Sequence, residues 1–551
     1  MFSVYIPGVG TYFPEIGDEG GGDLGLGCGA MGEVRLDFAI EQFDTFLGRP
    51  VAQARSPANA IQEINIAVFG FSRGAALARA FLNMLMEKRC ELRQDRWMLR
   101  DGSWSIRFRF LGLFDTVAPV GLPMSWNNTA LVEAKRGDTA GMMRKRLLGH
   151  PNTSPQELAF FSKTALLADP APGNQHGHSG WGERLKIHES VEEVRHFIAA
   201  HEIRNSFPLD SISILQHGSI SKPSNFYEII YPGGHSDVGG GYAPGEGGRA
   251  VLPVESLSLI PLRHMYDCAS RAGVPMLTEW NDDNKDDFKA DSMLVESYNA
   301  YLKTVGPFAN LGEGINKHMA VYYAWRFRSI RMKAAGDKAE AKLIQAQDNK
   351  FRKNDEALAK KLDDLVGREN VLLISLNALK EVQDMRAVTS GDSSAYNALS
   401  VKDSNVEEAR KKYENARDER LKIKAKKDSL PNMRKLLAML ELYDKQLLAD
   451  VLAIKNALHQ QVGKKKRSDL RPHYNILLQA YENEFEKNNG LKDEKVIIFF
   501  DKYVHDSLAG FAKDATLPSD PRVTYLGGND KLRYADLNDQ NLLNGEGKRL
   551  A

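Results

Sequence analysis

The segment GFSRG at residues 70–74 has the residue types and spacing of a serine nucleophile on a sharp turn. It follows residues 64–69, an apolar run typical of a strand, and precedes residues 75–85, which have helical spacing. Such a turn exposes the hydroxyl of Ser72, and the flanking glycines let strand and helix approach closely. The helix N-terminus and the N–H of Arg73 would then face an oxyanion formed on an acyl group. The pattern alone is weak evidence, and its strand-to-helix context is what indicates a nucleophile.

A serine nucleophile needs a base, and the base needs an acid to orient it. Asp115 directly follows the apolar run 106–114, so it is expected at the end of a strand. His235 lies in a glycine-rich stretch after the apolar run 226–231. The chain order of Ser72, Asp115 and His235 is the order that α/β-hydrolases use. These residues therefore indicate a serine esterase.

Two other residues could take the same roles. His505 follows residues 496–500, a strand-like run at a place where many α/β-hydrolases keep their histidine. It could be the base instead of His235, and Asp237 could replace Asp115 as the acid.

The elements that must position these residues are typical of an α/β domain. Short apolar runs alternate with helical patterns, which favours a mostly parallel sheet. Chemistry in such sheets gathers at the carboxyl ends of the strands. We predict an α/β-hydrolase-like mostly parallel sheet with helices on both faces, plus a largely α-helical C-terminal half. The expected strands are 2–6, 64–69, 106–114 and 226–231, and the expected helices between them are 75–85 and 191–200.

The composition changes near residue 325. No proline lies between Pro307 and Pro431. Of the 100 residues from 331 to 430, 40 are charged, whereas 26% of the whole chain is charged. Long solvated helices have this composition. We predict a catalytic domain over 1–325, a charged helical cap or membrane- or partner-binding region over 326–490, and a C-terminal segment over 491–551 that packs back on the catalytic domain.

Two predicted helices of the second half differ in character. Residues 402–428 are polar almost all round, whereas residues 433–458 carry an apolar stripe at three- and four-residue steps. A basic cluster, Lys464 to Arg467, follows the stripe. The stripe indicates a core helix, and a helix on a membrane surface is the alternative.

Composition excludes several classes of protein. A net charge of +1 argues against a nucleic-acid-binding protein. No apolar run is long enough for a membrane span, and the N-terminal residues lack the pattern of a signal peptide, so we expect synthesis in the cytoplasm. The three cysteines are far apart, and His176 and His178 have no acidic or cysteine neighbours in sequence. We therefore expect no disulfide framework, no metal and no organic cofactor, with both histidines in a solvated loop.

Three segments resemble the signature segments of the bacterial type VI secretion lipase effectors with an α/β-hydrolase-like catalytic domain. They are GFSRGAA at 70–76, FLGLFDTVAPVG at 110–121 and GGHSDVGGGY at 233–242. The first loop, YIPGVGT at 5–11, and Glu202-Ile-Arg204 before Phe207 are also similar, so the resemblance spans residues 2–275.

The resemblance implies residue roles and an activity. Ser72 would be the nucleophile, His235 the base and Asp115 the acid, while Gly8 or Val9 would supply an oxyanion N–H beside that of Arg73. The implied reaction is phospholipase hydrolysis of A1 or A2 type in glycerophospholipid membranes, after delivery into rival cells by a type VI system. The implied partners are the phospholipid membrane, a spike protein of the secretion apparatus and a cognate immunity protein.

Two other functions stay open at this point. The hydrolase-like domain could be inert, with the charged helices binding a partner or a membrane. Alternatively, the enzyme could hydrolyse soluble esters.

Overall fold

The structure is a computed structural model. It describes residues 1–20, 31–54, 57–100, 104–118, 159–160, 178–204, 207–216, 219–277, 288–388, 403–459, 465–507, 519, 522, 524–526 and 530–532. The strands are β1 Ile64–Phe71, β2 Cys90–Arg93, β3 Arg96–Leu99, β4 Ile106–Phe114, β5 Val194–Ala199, β6 Leu209–Asp210, β7 Ile214–Gln216, β8 Ser219–Ser221, β9 Phe226–Tyr231, β10 Thr524–Leu526 and β11 Asp530–Leu532. The helices are α1 Gly32–Gln53, α2 Arg73–Arg89, α3 His235–Gly239, α4 Leu259–Arg271, α5 Ser292–Val305, α6 Leu311–Ala334, α7 Ala339–Val388, α8 Asp403–Asp428, α9 Met433–His459, α10 Pro472–Phe485 and α11 Glu494–Lys502.

The central sheet is parallel, with the strand order β1-β4-β5-β9. One register shift in the β1–β4 pair leaves an extra residue on β4, because Ile66 pairs with Phe108 and Ala67 pairs with Phe110. A bulge of this kind turns Phe108 and Phe110 to opposite faces. Phe108 packs into the core beneath α2, and Phe110 packs with Met265 of α4. The sheet therefore has helices on both faces, and the predicted α/β class is confirmed.

Two runs of the catalytic region have a different structure from the one predicted. Residues 2–6 form no strand, and Tyr5 is 85% exposed. Residues 194–199 form strand β5 where a helix was expected. Five of the six residues of β5 are buried, so both faces of the strand are covered, and its apolar residues do not alternate with polar ones as they do in a half-buried strand. The run therefore resembled helical spacing.

The run 496–500 was also assigned wrongly, since it lies in helix α11 and not in a strand. The carboxylate of Asp493 caps the helix by accepting the N–H groups of Lys495 and Val496. Val496, Phe499 and Phe500 are buried on one face. Their spacing of three and four residues is helical, and the short apolar run concealed it.

Contacts divide the chain into two compact units. The first comprises Met1–Val9, Asp23–Gln347 and Met433–Ala551, and the second comprises Gly10–Gly22 and Asp348–Asn432. The second unit contains α8 and most of α7, which pair through Arg420 with Glu369 and Lys427 with Asp355. The long charged helices predicted here are confirmed, whereas the division at residues 325 and 490 stays a prediction.

The apolar stripe predicted in the second half lies on α9, within the first unit. Leu436, Leu440, Leu447 and Val451 are all at most 5% exposed. The stripe therefore packs inside the protein, as expected of a core helix, and is not available as a membrane surface. Among the helices of the described ranges, none combines the length and the apolar character of a membrane span.

Candidate active site

Ser72 lies on the turn between β1 and α2. Its backbone has φ 59° and ψ −128°, a conformation that residues other than glycine rarely adopt. The helix starts at once, since the N–H of Ala75 donates to the Ser72 carbonyl over 3.0 Å. A Cβ at Gly70 would lie 2.3 Å from the Gly74 carbonyl oxygen, so only glycine fits there. Gly74 has open space around it, and the expectation of a close approach at both glycines was right only for Gly70.

Asp115 and His235 meet at the same edge of the sheet. Asp115 directly follows β4, and its N–H donates to the carbonyl of Phe197 over 2.7 Å. The N–H of Ser72 donates to the Phe114 carbonyl over 2.9 Å, so the serine and the aspartate end adjacent strands. His235 is the first residue of α3, and its Nδ1 lies 2.6 Å from Asp115 Oδ2.

The other ring nitrogen of His235 is the atom that could accept a proton. Nε2 is buried and has no hydrogen-bond partner within the described ranges. The imidazole lies between two aromatic rings, with centroids 4.5 Å from that of Phe71 and 4.9 Å from that of Phe207. Phe71 precedes Ser72 in the chain, so a ring of the serine turn lies against the histidine, although no hydrogen bond joins Ser72 to Nε2 in the described part of the chain.

Burial keeps the histidine neutral, and the groups around the aspartate keep it ionised. Burial opposes ionisation of Asp115, but the charge of Arg522 and the hydrogen bond from His235 outweigh it, so the pKa of the carboxyl is below its usual value. Burial lowers the pKa of His235, against the opposing effect of Asp115. A neutral imidazole held by a carboxylate can act as a general base.

The first loop lies beside the N-terminus of α2. Val9 is buried in a cluster with Ala76 and Leu77, one turn into that helix. Two arginines, Arg35 and Arg73, lie near each other here. Burial and the charge of Arg35 lower the pKa of Arg73 to about 10. The N–H groups at the helix start and the nearby cations suit an anion.

Asp237 and His505, the alternative acid and base, pair with each other. His505 Nδ1 lies 2.7 Å from Asp237 Oδ1, and the other carboxylate oxygen accepts the N–H groups of His505 and Gly234, each over 3.0 Å. Tyr242 stacks on His505 with the ring centroids 4.0 Å apart. The structure thus contains two separate Asp–His pairs, and α3 contributes to both.

Sequence reasoning missed the role of Arg522, which binds Asp115 with two hydrogen bonds of 2.8 Å. It lies in no motif, so the sequence held no signal for it. Glu202, noted in a familial segment, accepts the backbone N–H of His235 over 3.3 Å and forms an ion pair with Arg204.

The expectation of a solvated loop around His178 was wrong. Its side chain is buried, and Nε2 lies 2.6 Å from Asp210 Oδ1. His176 lies outside the described residues. Within the described ranges, no group of three or more acidic, histidine or cysteine side chains could hold a metal.

Comparisons with known proteins find one family model and two solved structures that are similar to this chain. Residues 87–268 match the family model "T6SS, Phospholipase effector Tle1-like, catalytic domain", a range that includes Asp115 and His235 but not Ser72. A crystal structure of an uncharacterized protein from Pseudomonas aeruginosa is similar, with a TM-score of 0.59 and 22% identity over 96% of this chain and 73% of that chain, which indicates a shared fold.

A second solved structure matches more weakly. It is the Tle1 effector bound to the VgrG spike from the type VI secretion system, with a TM-score of 0.27 and 19% identity over 54% of this chain and 64% of that chain. That similarity is too low to support an argument. A search of curated proteins finds no significant match. The resemblance drawn from the sequence is therefore confirmed over residues 87–268, which match the catalytic domain of the Tle1-like phospholipase effectors of type VI secretion.

Proposed function

We propose that the chain is a serine-dependent phospholipase that hydrolyses a carboxylic ester of glycerophospholipids, of A1 or A2 type. The family match over residues 87–268 supports a phospholipase effector function. The observation that carries the serine mechanism is the 2.6 Å contact between Asp115 and His235 beside the Ser72 turn, with His235 Nε2 buried and unpartnered in the described part of the chain.

In this mechanism the hydroxyl of Ser72 attacks the acyl carbonyl carbon. His235 Nε2 takes the hydroxyl proton and returns it to the leaving alcohol oxygen when the ester bond breaks. Asp115 holds the Nδ1 proton and stabilises the imidazolium in between. A water molecule then attacks the acyl-enzyme with His235 again as the base, which releases the fatty acid and restores Ser72.

Backbone N–H groups stabilise the negative oxygen of the tetrahedral intermediate. One comes from Arg73 at the start of α2, and the other from Gly8 or Val9 in the first loop. Each such donor typically contributes about 3 kcal/mol to transition-state stabilisation. The arginine side chains near this helix start, Arg35 and Arg73, add positive potential at the same place.

The biological setting follows from the resemblance. The chain would be made in the cytoplasm and delivered by a type VI system, with the phospholipid membrane as substrate and with a spike protein and an immunity protein as partners. The charged helical half would form a cap or a binding region. An inert hydrolase-like domain is a weaker alternative, because Ser72 keeps a strained positive φ next to the Asp115–His235 pair.

The test is fatty-acid release from mixed phospholipid vesicles. We expect Ser72→Ala and His235→Ala to abolish release, and His505→Ala, the matched change in the other Asp–His pair, to retain much of it. Loss in His505→Ala with activity kept in His235→Ala would move the base to His505. If the wild type releases fatty acid only from soluble esters, the phospholipid assignment fails. If it hydrolyses neither, the inert domain is supported.

A further inference from the structure

Arg522 connects the C-terminal part of the chain to the acid of the proposed triad. Its Nη1 donates to Asp115 Oδ1 and its Nη2 to Asp115 Oδ2, each over 2.8 Å. Its Nε donates to the carbonyl of Phe207 over 2.6 Å, and Nη1 also reaches the carbonyl of Ala199 at 3.3 Å. A planar guanidinium with two parallel hydrogen bonds fixes the orientation of a carboxylate.

With these bonds, both oxygens of Asp115 are fully engaged. Oδ1 accepts the N–H of Ala199 over 2.9 Å and one bond from Arg522. Oδ2 accepts the bond from His235 and the other from Arg522. Asp115 is fully buried, so no water competes for its oxygens. The carboxylate can therefore point to His235 in one orientation only.

A strand that follows Arg522 in the chain is itself held in place. Strand β10, which begins two residues later, pairs in parallel with β6, and Thr524 is in register with Leu209. The N–H of Asp210 on β6 donates to the carbonyl of Thr116 over 2.9 Å, next to Asp115. A short sheet thus ties the arginine to the residue that follows the triad acid.

We propose that Arg522 is a positioning residue of the active site, which fixes the Asp115 carboxylate against His235 and balances its charge. The inference rests on the serine mechanism proposed above. It assigns a role to a residue outside the matched residues 87–268.

Removal of this cation should change the protonation of His235. With Arg522 replaced by a neutral residue, the negative charge of Asp115 is no longer balanced, and the imidazolium is favoured. The base must be neutral to work, so the acidic limb of the kcat/KM profile should move to higher pH. The charged and titratable groups around His235 are Asp115, Glu202, Arg204 and Arg522, with Arg73 on the elbow and the Asp237–His505 pair behind α3.

The experiment uses the full chain and three variants. Arg522→Gln removes the charge, Arg522→Lys keeps it without the planar fork, and Arg326→Gln is the matched control. Arg326 is also buried, and it pairs with two carboxylates, Asp444 and Asp506. We would measure kcat and KM on phospholipid vesicles from about pH 5 to about pH 9, the rate of Ser72 labelling by a fluorophosphonate, and the melting temperature.

We expect Arg522→Gln to lose about 100-fold in kcat with little change in KM, and its acidic limb to move upward. Arg522→Lys should lose about 10-fold with a smaller movement of that limb. Arg326→Gln should melt earlier without any movement of the limb. If Arg522→Gln fails to fold, Arg522→Lys alone tests whether the two parallel hydrogen bonds of the guanidinium are needed.

Two results would overturn the inference while leaving the proposed function intact. One is wild-type kcat and pH profile in both Arg522 variants. The other is a loss of kcat in Arg522→Gln that Arg326→Gln reproduces, with the acidic limb unmoved in both variants. Arg522 would then serve folding only. A wild-type chain that fluorophosphonate does not label would instead remove the serine mechanism, and the positioning role with it.

Discussion

Replacement of Asp115 by Asn tests the proposed triad most directly. The carboxylate meets hydrogen-bond donors only, namely the N–H of Ala199, the guanidinium of Arg522 and Nδ1 of His235. Asn has one oxygen and one NH₂ group. In either orientation of the amide, its NH₂ must therefore face a donor.

The two orientations have different costs. If the NH₂ faces His235, Nδ1 must accept, and the imidazole proton moves to Nε2, where it blocks acceptance from Ser72. If the NH₂ faces Ala199, an N–H and the guanidinium lose their acceptor. The first orientation is the wrong tautomer for catalysis, which costs about 10⁴-fold in kcat, equivalent to about 5 kcal/mol. Both orientations remove the carboxylate that binds Arg522, a buried cation, which costs about 3–5 kcal/mol of stability.

The assay is fatty-acid release by Asp115→Asn at a temperature where circular dichroism shows it folded, with Asp237→Asn as the matched control. Asp237 makes the same type of bond, to His505, so the chemical change is identical in the pair that the mechanism does not use. We expect Asp237→Asn to lose less than about 10-fold, which is far less than a tautomer defect costs. An Asp115→Asn variant that is folded and retains most of its kcat would refute the triad, and a 10⁴-fold loss in Asp237→Asn instead would assign catalysis to the other pair.

Three further predictions follow from local geometry. Ser72→Ala and Ser72→Gly should both be inactive, but Gly should be the more stable by about 1 kcal/mol in denaturant unfolding, because it relieves the positive φ; equal stability would argue against the strained turn. Gly70→Ala should destabilise by about 1–3 kcal/mol through its overlap with the Gly74 carbonyl, whereas Gly74→Ala, with open space, should be neutral or slightly stabilising. Burial lowers the pKa of His318 to about 3, so the unfolded chain binds the extra proton and stability falls as pH drops below about 6.5. At pH 5 this one group costs about 2 kcal/mol relative to pH 8, and His318→Gln should reduce the measured pH dependence by that amount.

The sequence predicted those parts of the site that depend on short-range patterns. The run 64–69 before Ser72 and the run 106–114 before Asp115 became strands, because β-branched and aromatic residues bounded by turn residues favour that structure. Parallel strands end at one edge, so the placement of Ser72 and Asp115 together followed from topology alone.

What the sequence did not predict depends on burial and on long-range contacts. Strand β5 was taken for a helix because a strand covered on both faces loses its alternation, and the sequence cannot show that it is covered. Helix α11 was taken for a strand because its apolar run of five residues is too short to reveal the period. Arg522 is separated from Asp115 by 407 positions, and no local pattern marks such a pair.

The arrangement of the two Asp–His pairs explains why distant segments are needed. Helix α3 has only five residues, so it cannot be stable alone, and yet it must hold His235 within hydrogen-bond distance of Asp115. Asp237, two residues further on, is bound by the side chain and the backbone of His505, which anchors α3 from behind. Arg522 fixes the acid from the other side. Ser72 lies before the matched residues 87–268, and His505 and Arg522 lie after them. A fragment limited to 87–268 would therefore lack the proposed nucleophile, the partner of Asp237 and the cation that binds Asp115.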